Sequence, residues 1–184
     1  SLHPENAGIA VNERGAIVVD KRLHTTADNI WAMGDVTGGL QFTYISLDDY
    51  RIVRDELLGE GKRSTDDRKN VPYSVFMTPP LSRVGMTEEQ ARESGADIQV
   101  VTLPVAAIPR ARVMNDTRGV LKAIVDNKTQ RMLGASLLCV DSHEMINIVK
   151  MVMDAGLPYS ILRDQIFTHP SMSESLNDLF SLVK

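Results

Sequence analysis

A polar stretch at residues 59–70 divides this 184-residue chain and constrains its fold more than any other feature. The stretch contains no large apolar residue and is rich in Lys, Arg, Asp, Ser and Thr, which is typical of a solvated connection between domains. At a usual domain size of roughly 100–150 residues, the chain can hold one complete domain and part of another. We therefore predict the remainder of one domain at residues 1–69 and a complete domain at residues 70–184.

The segment before the polar stretch has the order strand, glycine loop, helix. Short β-rich runs at residues 9–11 and 16–19 flank a glycine-containing turn and predict a hairpin. The wholly apolar run at residues 30–33 stops at Gly-Asp, as a buried strand that enters a loop would. From about Thr43 the apolar residues recur at helical spacing until a pair of glycines. This order is typical of an α/β domain.

The segment after the polar stretch predicts an α+β domain with a mostly antiparallel sheet and flanking helices. Runs with strand composition lie at residues 73–76, 98–103, 120–125 and 132–138. The last two flank a polar turn at residues 126–130, which suits an antiparallel hairpin. Helices are predicted after Thr87, which has capping-box spacing, from Asp141 to Ala155, and from about Met172 to Val183.

The second of these helices is apolar over most of its circumference, because residues 145–153 include three methionines and four β-branched apolar residues. A helix of this kind must be covered on more than one side. The cover can come from its own domain or from another subunit, and the sequence leaves both open.

Composition excludes several classes of partner. The net charge of −4 and the mixture of 20 basic with 24 acidic residues lack the positive footprint of a nucleic-acid-binding protein. No apolar run approaches the roughly 20 residues that cross a bilayer, and the amino terminus does not resemble an export signal. We therefore expect no nucleic-acid or membrane partner and a cytoplasmic location. The single cysteine, Cys139, rules out an intrachain disulfide and is expected to pack in the core.

The first candidate site lies where the predicted strand gives way to the helix. Gly34 would let a ligand approach the backbone, and the Asp35 carboxylate can accept hydrogen bonds from polyol hydroxyls. Gln41, Phe42 and Thr43 stand at the helix start, where exposed N–H groups favour negative charge such as that of a reduced flavin. The alternative is an ordinary Gly-Asp turn after a strand.

The second candidate site surrounds His169, which is followed by Pro170 and, five residues on, by Glu174. Histidine titrates near neutral pH, and a neighbouring carboxylate can fix its tautomer and stabilise its cation. Pro170 disfavours helical geometry at His169 and is compatible with a cis bond. In the alternative interpretation, Ser171 and Glu174 form a capping box, and His169 is a surface residue of the loop.

Taken together, these segments resemble the family of glutathione reductase, lipoamide dehydrogenase and mercuric reductase, the class I pyridine nucleotide-disulfide oxidoreductases. The resemblance covers almost the whole chain. Residues 15–20 and 30–35 are similar to the family's second flavin motif, and residues 76–85 resemble the opening of its interface domain. The spacing of His169-Pro170 and Glu174 matches the family's catalytic His-Glu pair.

The resemblance implies FAD and NAD(P)H as cofactors and a homodimer formed through the carboxyl-terminal domain. It assigns Asp35 to a ribityl hydroxyl of FAD, and His169 and Glu174 to the flavin site of the opposite subunit. It also implies hydride transfer to the flavin and electron transfer to a small-molecule, disulfide or metal-ion acceptor. Met77 and Pro80 stand where the family usually has Thr and Glu, and we attach no loss of function to this departure.

The family's Gly-x-Gly-x-x-Gly loop, redox-active cysteine pair and nicotinamide domain are absent from this sequence. We therefore expect the chain to begin partway through the flavin domain and to be inactive alone. Two alternatives remain: an NAD(P)H-dependent metal-ion reductase of the same family, and a non-catalytic dimerisation module. Mercuric reductases typically carry a cysteine pair near the carboxyl terminus, and the final residues, 179–184, include none, which weakens the alternative of a mercuric reductase. We predict no metal ligands in this chain.

Overall fold

The structure, a computed structural model, describes residues 2–184, and these separate into two units. The first unit ends at Lys69 and the second begins at Asn70. Among the described residues, no helix combines the length and the apolar character that crossing a membrane requires.

The first unit is built around one long helix, α1 (Thr43–Leu58). Its buried Ile52 and Val53 pack against Leu23, with Val19 and Trp31 at the edge of this small core. Short 3-10 turns at Pro4–Ala7, Gly34–Thr37 and Thr65–Asp67 complete the unit. The predicted helix is therefore confirmed.

The predicted strands of the first unit differ from the structure. The predicted hairpin is present but short: Val11 bridges Ile17, and backbone N–H groups of Asn12 and Val18 donate to the carbonyls of Ala16 and Ala10. The run at residues 30–33 makes an isolated bridge between Trp31 and His24, and Ile30 is 37% exposed, so this run is not a buried strand. Within the described residues its main chain bonds to residues 23–25 along one side, whereas a strand inside a sheet is paired on both sides.

The second unit contains a five-stranded antiparallel sheet in the order β1-β2-β5-β4-β3. The strands are β1 (Tyr73–Val75), β2 (Leu81–Gly85), β3 (Ile98–Pro104), β4 (Val120–Asp126) and β5 (Met132–Leu138). The prediction of an α+β domain with an antiparallel sheet is confirmed. Strand β2 lies between β1 and β5 and completes the sheet, and it was not predicted.

Five helices accompany this sheet: α2 (Glu88–Glu93), α3 (Pro109–Val113), α4 (Ser142–Asp154), α5 (Ser160–Arg163) and α6 (Ser175–Ser181). Thr87 and Gln90 form the predicted capping box at the start of α2. The last helix is shorter than predicted. It begins only at Ser175, because the preceding residues form a turn, and it ends in tighter i to i−3 bonds at Leu182 and Val183.

The core of the second unit lies where α4 and α6 contact the sheet. Its largest fully buried side chains include Leu121, Leu137, Met145, Leu176 and Phe180. Helix α4 directs its apolar residues inward except for the partly buried Ile148 and Met153 and for Met151, which is 71% exposed. Cys139 is free and fully buried, in agreement with the packing role that its position predicts.

Candidate functional site

His169 lies in the exposed segment that connects α5 to α6, and its bond to Pro170 is cis. Its Nδ1 atom is 2.9 Å from Oε1 and 2.8 Å from Oε2 of Glu174. The His169 side chain is 66% exposed and that of Glu174 is 31% exposed. The structure thus brings the two predicted residues of the second site into direct contact, with the acid more sheltered than the ring.

Glu174 takes part in two of the contacts that the sequence predicts. Its backbone N–H donates to Oγ of Ser171 at 3.2 Å, so Ser171 provides half of a capping box. The Glu174 carboxylate completes the His169 pair rather than returning to the Ser171 backbone. A carboxylate next to Nδ1 favours the tautomer with a proton on that nitrogen, which leaves Nε2 to exchange protons with another group.

The first candidate site is built on the 3-10 turn at Gly34–Thr37, which contacts α1. Gly34 has a φ of 76°, and a Cβ at this position would lie 2.9 Å from Oγ of Ser46. Glycine is therefore required both by the left-handed backbone and by the closeness of α1. Asp35 follows in an exposed position, where its carboxylate can reach a ligand.

The helix start supplies the rest of this site. Phe42 is the N-cap residue of α1 and offers no side-chain cap to the helix. Its ring stacks on Tyr44, with centroids 5.1 Å apart and planes inclined by 8°. Gln41 and Thr43 are exposed on either side of it. The amino-terminal end of a helix favours an anionic ligand.

Asp49 holds this turn and was not among the predicted site residues. Its side chain is 2% exposed, and Oδ2 accepts a hydrogen bond of 2.6 Å from the backbone N–H of Gly34. The signal was available, because Asp49 lies on the apolar stripe of α1 between Ile45 and Ile52. A charged residue on a buried stripe is rarely tolerated without a partner.

Arg68 is that partner. Its guanidinium pairs with Asp49 and donates through Nε to Oδ2 of Asp48 at 2.8 Å. Burial alone would lower the pKa of Arg68, but the hydrogen bonds to the two carboxylates outweigh it and raise the pKa above its ordinary value. Arg68 thus pairs with one oxygen of Asp49, whose other oxygen accepts from Gly34 in the turn. A cavity of about 280 Å³ borders the pair and is lined also by Thr37 and Gly39.

The described residues contain no group of three or more His, Cys, Asp or Glu side chains that could hold a metal ion. The second unit has a separate cavity of about 640 Å³, which Gly85, Arg131, Met132 and Met153 help to line. Neither His169 nor Glu174 lines it, so this cavity is not part of the candidate site.

Two family models match the chain. Residues 71–180 match the dimerisation domain of the pyridine nucleotide-disulphide oxidoreductases, and residues 1–49 match a second model described as pyridine nucleotide-disulphide oxidoreductase. A mercuric reductase of Staphylococcus aureus is 35% identical over 176 residues, which cover 96% of this chain and 32% of that protein. A dihydrolipoyl dehydrogenase of Mycobacterium tuberculosis is 31% identical, with coverage of 96% and 38%. The chain thus spans about a third of the length of these relatives.

Solved structures agree with this result. The HOCl-induced flavoprotein disulfide reductase RclA from Escherichia coli is 99% identical, with a TM-score of 0.98, over 100% of this chain and 42% of that one. A further structure of it is described as a Cu(II) complex, with the same identity and TM-score. The LpdA structure from Mycobacterium tuberculosis shares the fold at a TM-score of 0.88 and 23% identity, over 100% of this chain and 40% of that one. Because a dimerisation-domain model covers more than half of the sequence, the chain belongs to the pyridine nucleotide-disulphide oxidoreductase family.

Proposed function

We propose that this chain is the carboxyl-terminal part of a homodimeric, FAD-dependent NAD(P)H:disulfide oxidoreductase. In this proposal the second unit forms the dimer interface and delivers His169 and Glu174 to the flavin site of the partner subunit. The observation that carries the proposal is the contact between Nδ1 of His169 and the Glu174 carboxylate at 2.8–2.9 Å. Membership of a family with a dimerisation domain supports the symmetric pairing.

The residues of the first site fit a flavin. The left-handed Gly34 keeps the backbone close to α1, the exposed Asp35 would accept a hydrogen bond from a ribityl hydroxyl, and the amino-terminal end of α1 would face negative charge. FAD, when bound, supplies the redox chemistry by accepting electrons from NAD(P)H and passing them to an acceptor. We place the nicotinamide site and the redox-active cysteine pair outside this chain.

The His-Glu pair then serves the thiols of the acceptor step. Nε2 of His169 would take a proton from a thiol as the sulfur becomes a nucleophile and return it to the leaving thiolate. Glu174 would orient the ring through Nδ1 and stabilise the imidazolium that forms in between. The exposure of the His169 ring, 66%, leaves it accessible to a second subunit. Dimerisation is therefore part of the chemistry in this proposal.

The test compares the two half-reactions of the intact flavoprotein by stopped-flow spectroscopy. His169→Ala should slow flavin reoxidation by a disulfide acceptor on the order of 100- to 10,000-fold, the usual contribution of a positioned acid-base group. Flavin reduction by NAD(P)H should change less than about twofold, because no thiol proton moves in that step. Glu174→Gln should give an intermediate loss.

The matched control is His3→Ala, because His3 and Glu5 form another exposed His-Glu pair, with a distance of 3.0 Å between Nδ1 and Oε1. This variant should retain both half-reactions. Equal slowing of the two half-reactions by His169→Ala, or an equal effect of His3→Ala, would contradict the assignment of His169.

A second candidate function is the reduction of a metal ion. It is favoured by the Cu(II) complex of the 99% identical flavoprotein and by the similarity to mercuric reductases. Electron transfer to a metal ion requires no thiol proton to pass through His169. If His169→Ala slows disulfide reduction but leaves Cu(II) reduction unchanged, the disulfide is the acceptor that uses the pair. If only Cu(II) reduction is measurable in the intact protein, the metal-ion reductase is the correct function.

A further inference from the structure

One side-chain amide holds the segment that leads to His169. Nδ2 of Asn177 donates to the backbone carbonyls of Leu162 at 2.8 Å, of Arg163 at 3.0 Å and of Gln165 at 3.0 Å. The first two carbonyls belong to the last turn of α5, where a helix leaves its acceptors without partners in the helix, and the third lies two residues beyond it. Asn177 therefore satisfies three carbonyls that the local backbone does not.

The orientation of this amide is fixed by its partners. All three are carbonyl oxygens, which only accept hydrogen bonds, so the NH₂ group and not the oxygen must face them. The amide has two N–H donors for three carbonyl acceptors, so one N–H is shared between two carbonyls. A change that removes the donors at position 177 therefore releases several attachments at once.

The segment has few other attachments. Residues 164–168 are exposed except for Phe167, which packs against the core, and Ile166 is 93% exposed. Burial alone therefore does not fix the path of the chain from α5 to His169. After the local bond from the Asp164 N–H to the Ser160 carbonyl, the amide of Asn177 and the ring of Phe167 hold that path.

Asn177 and Glu174 lie three residues apart near the start of α6, and side chains at this spacing share one face of a helix. Glu174 binds the ring of His169, and Asn177 binds the backbone of the segment that carries it. One helix face thus fixes both the direction of the imidazole and the position of its main chain.

We propose that Asn177 is a positioning residue for His169, which keeps the imidazole at the place where it meets the partner's flavin site. This inference rests on the proposed role of His169 in the acceptor half-reaction. Asn177 itself touches no reacting atom, and it acts by restricting the segment at residues 162–168.

The test uses Asn177→Ala and the isosteric Asn177→Asp in the intact flavoprotein. A displacement of about 1 Å at a catalytic group can cost on the order of 100-fold, and because Glu174 still holds the ring we expect about a tenfold slower reoxidation by a disulfide. Flavin reduction by NAD(P)H should be unchanged. Asn177→Asp should be at least as slow as Asn177→Ala, because its carboxylate would face three carbonyl oxygens.

The matched control is Ser181→Ala, which removes a hydrogen bond of 2.7 Å from Oγ to the Asp178 carbonyl at the end of the same helix. This variant should keep both half-reactions. Hydrogen exchange of residues 162–168 should be faster in the Asn177 variants and unchanged in Ser181→Ala. In a His169→Ala background, Asn177→Ala should add less than about twofold, because residues that act as one unit are not additive.

The outcomes separate the two proposals. If His169→Ala slows reoxidation and Asn177→Ala does not, only the positioning role is wrong. If Asn177→Ala slows reoxidation equally with and without His169, or slows both half-reactions, Asn177 acts through general stability and the inference fails. If His169→Ala itself has no effect, the proposed function fails and this role fails with it.

Discussion

A chain of three serine hydroxyls connects the sheet to α4, and its removal should have a measurable cost in stability. Ser142, the first residue of α4, donates through Oγ to the carbonyl of Pro80 at 2.8 Å. Its Oγ is 2.9 Å from that of Ser82, which is 2.7 Å from that of Ser74. Because a hydroxyl has one hydrogen, Ser82 must donate to Ser142 and Ser74 to Ser82.

Ser142→Ala should destabilise the second unit by about 1 kcal/mol, the usual net contribution of an intramolecular hydrogen bond. The Ser82 hydroxyl, which is fully buried like that of Ser142, loses this acceptor but can turn to Oγ of Ser74 at 2.7 Å. The Pro80 carbonyl still accepts the backbone N–H of Cys139 at 3.3 Å. In Ser82→Ala/Ser142→Ala the hydrogen bond between the two hydroxyls is lost only once, so the double variant should cost at least about 0.5 kcal/mol less than the sum of the single variants.

Urea unfolding of this chain measures the free energies, provided that the slope m stays constant among the variants. Hydrogen exchange of peptides from β2 and α4 assigns the loss to this part of the second unit. Ser181→Ala, which removes an exposed local hydrogen bond, is the control and should change stability by less than about 0.5 kcal/mol. The proposed chain of hydrogen bonds would be refuted if the destabilisations of the two single variants added up to that of the double variant. It would also be refuted if Ser142→Ala cost less stability than the control.

Three further predictions concern single residues. Burial, and secondarily the charge of Asp141, raises the pKa of the Cys139 thiol to about 12, so alkylating reagents at pH 8 should label it only after unfolding. Because the unfolded thiol ionises near its ordinary pKa of 9.0, its contribution to stability should be intact below pH 9 and fall by about 1.4 kcal/mol per pH unit above it. In urea titrations Cys139→Ala should remove this contribution from the pH dependence. Met151→Lys should raise the dissociation constant of the dimer at least about tenfold in sedimentation measurements. Val113→Lys, at a residue that is 69% exposed and lies outside α4, should leave the dissociation constant unchanged. Asp35→Ala should weaken FAD retention by the intact protein on the order of 10- to 100-fold in equilibrium dialysis, and the exposed Asp28→Ala should leave it unchanged.

The sheet of the second unit was largely predictable because three of its strands carry their own signal. Residues of β3, β4 and β5 are β-rich, and a polar turn joins the last two. Strand β2 was not predictable in the same way, since its short sequence includes Ser82 and Arg83 and ends at a glycine. It forms because β5 pairs along its whole length, with Gly85 opposite Gly134. Tertiary pairing overrides weak local preference here.

In the first unit, by contrast, a strand was predicted that the structure does not form. The apolar run at residues 30–33 has the composition of a buried strand, but composition does not state whether neighbouring strands exist to pair with it. The described residues offer it pairing on one side only. Asp49 was not predicted because helical periodicity identifies the buried face of a helix from its apolar residues. It does not show that a charged residue on that face has a buried partner. Its buried contact with the Gly34 turn depends on the approach of α1 to that turn.

The second site separates what spacing can predict from what it cannot. His169 and Glu174 lie five residues apart, so a single local turn is enough to bring them together. The motif alone therefore predicts their contact. The partners of Asn177 are main-chain carbonyls 12 to 15 residues away, and every residue has such a carbonyl. No sequence motif can encode that contact, because it depends on the path of the loop and not on residue types. If Asn177 does position His169, catalytic motifs in this family describe the reacting groups, while the residues that hold them in place must be found in each structure.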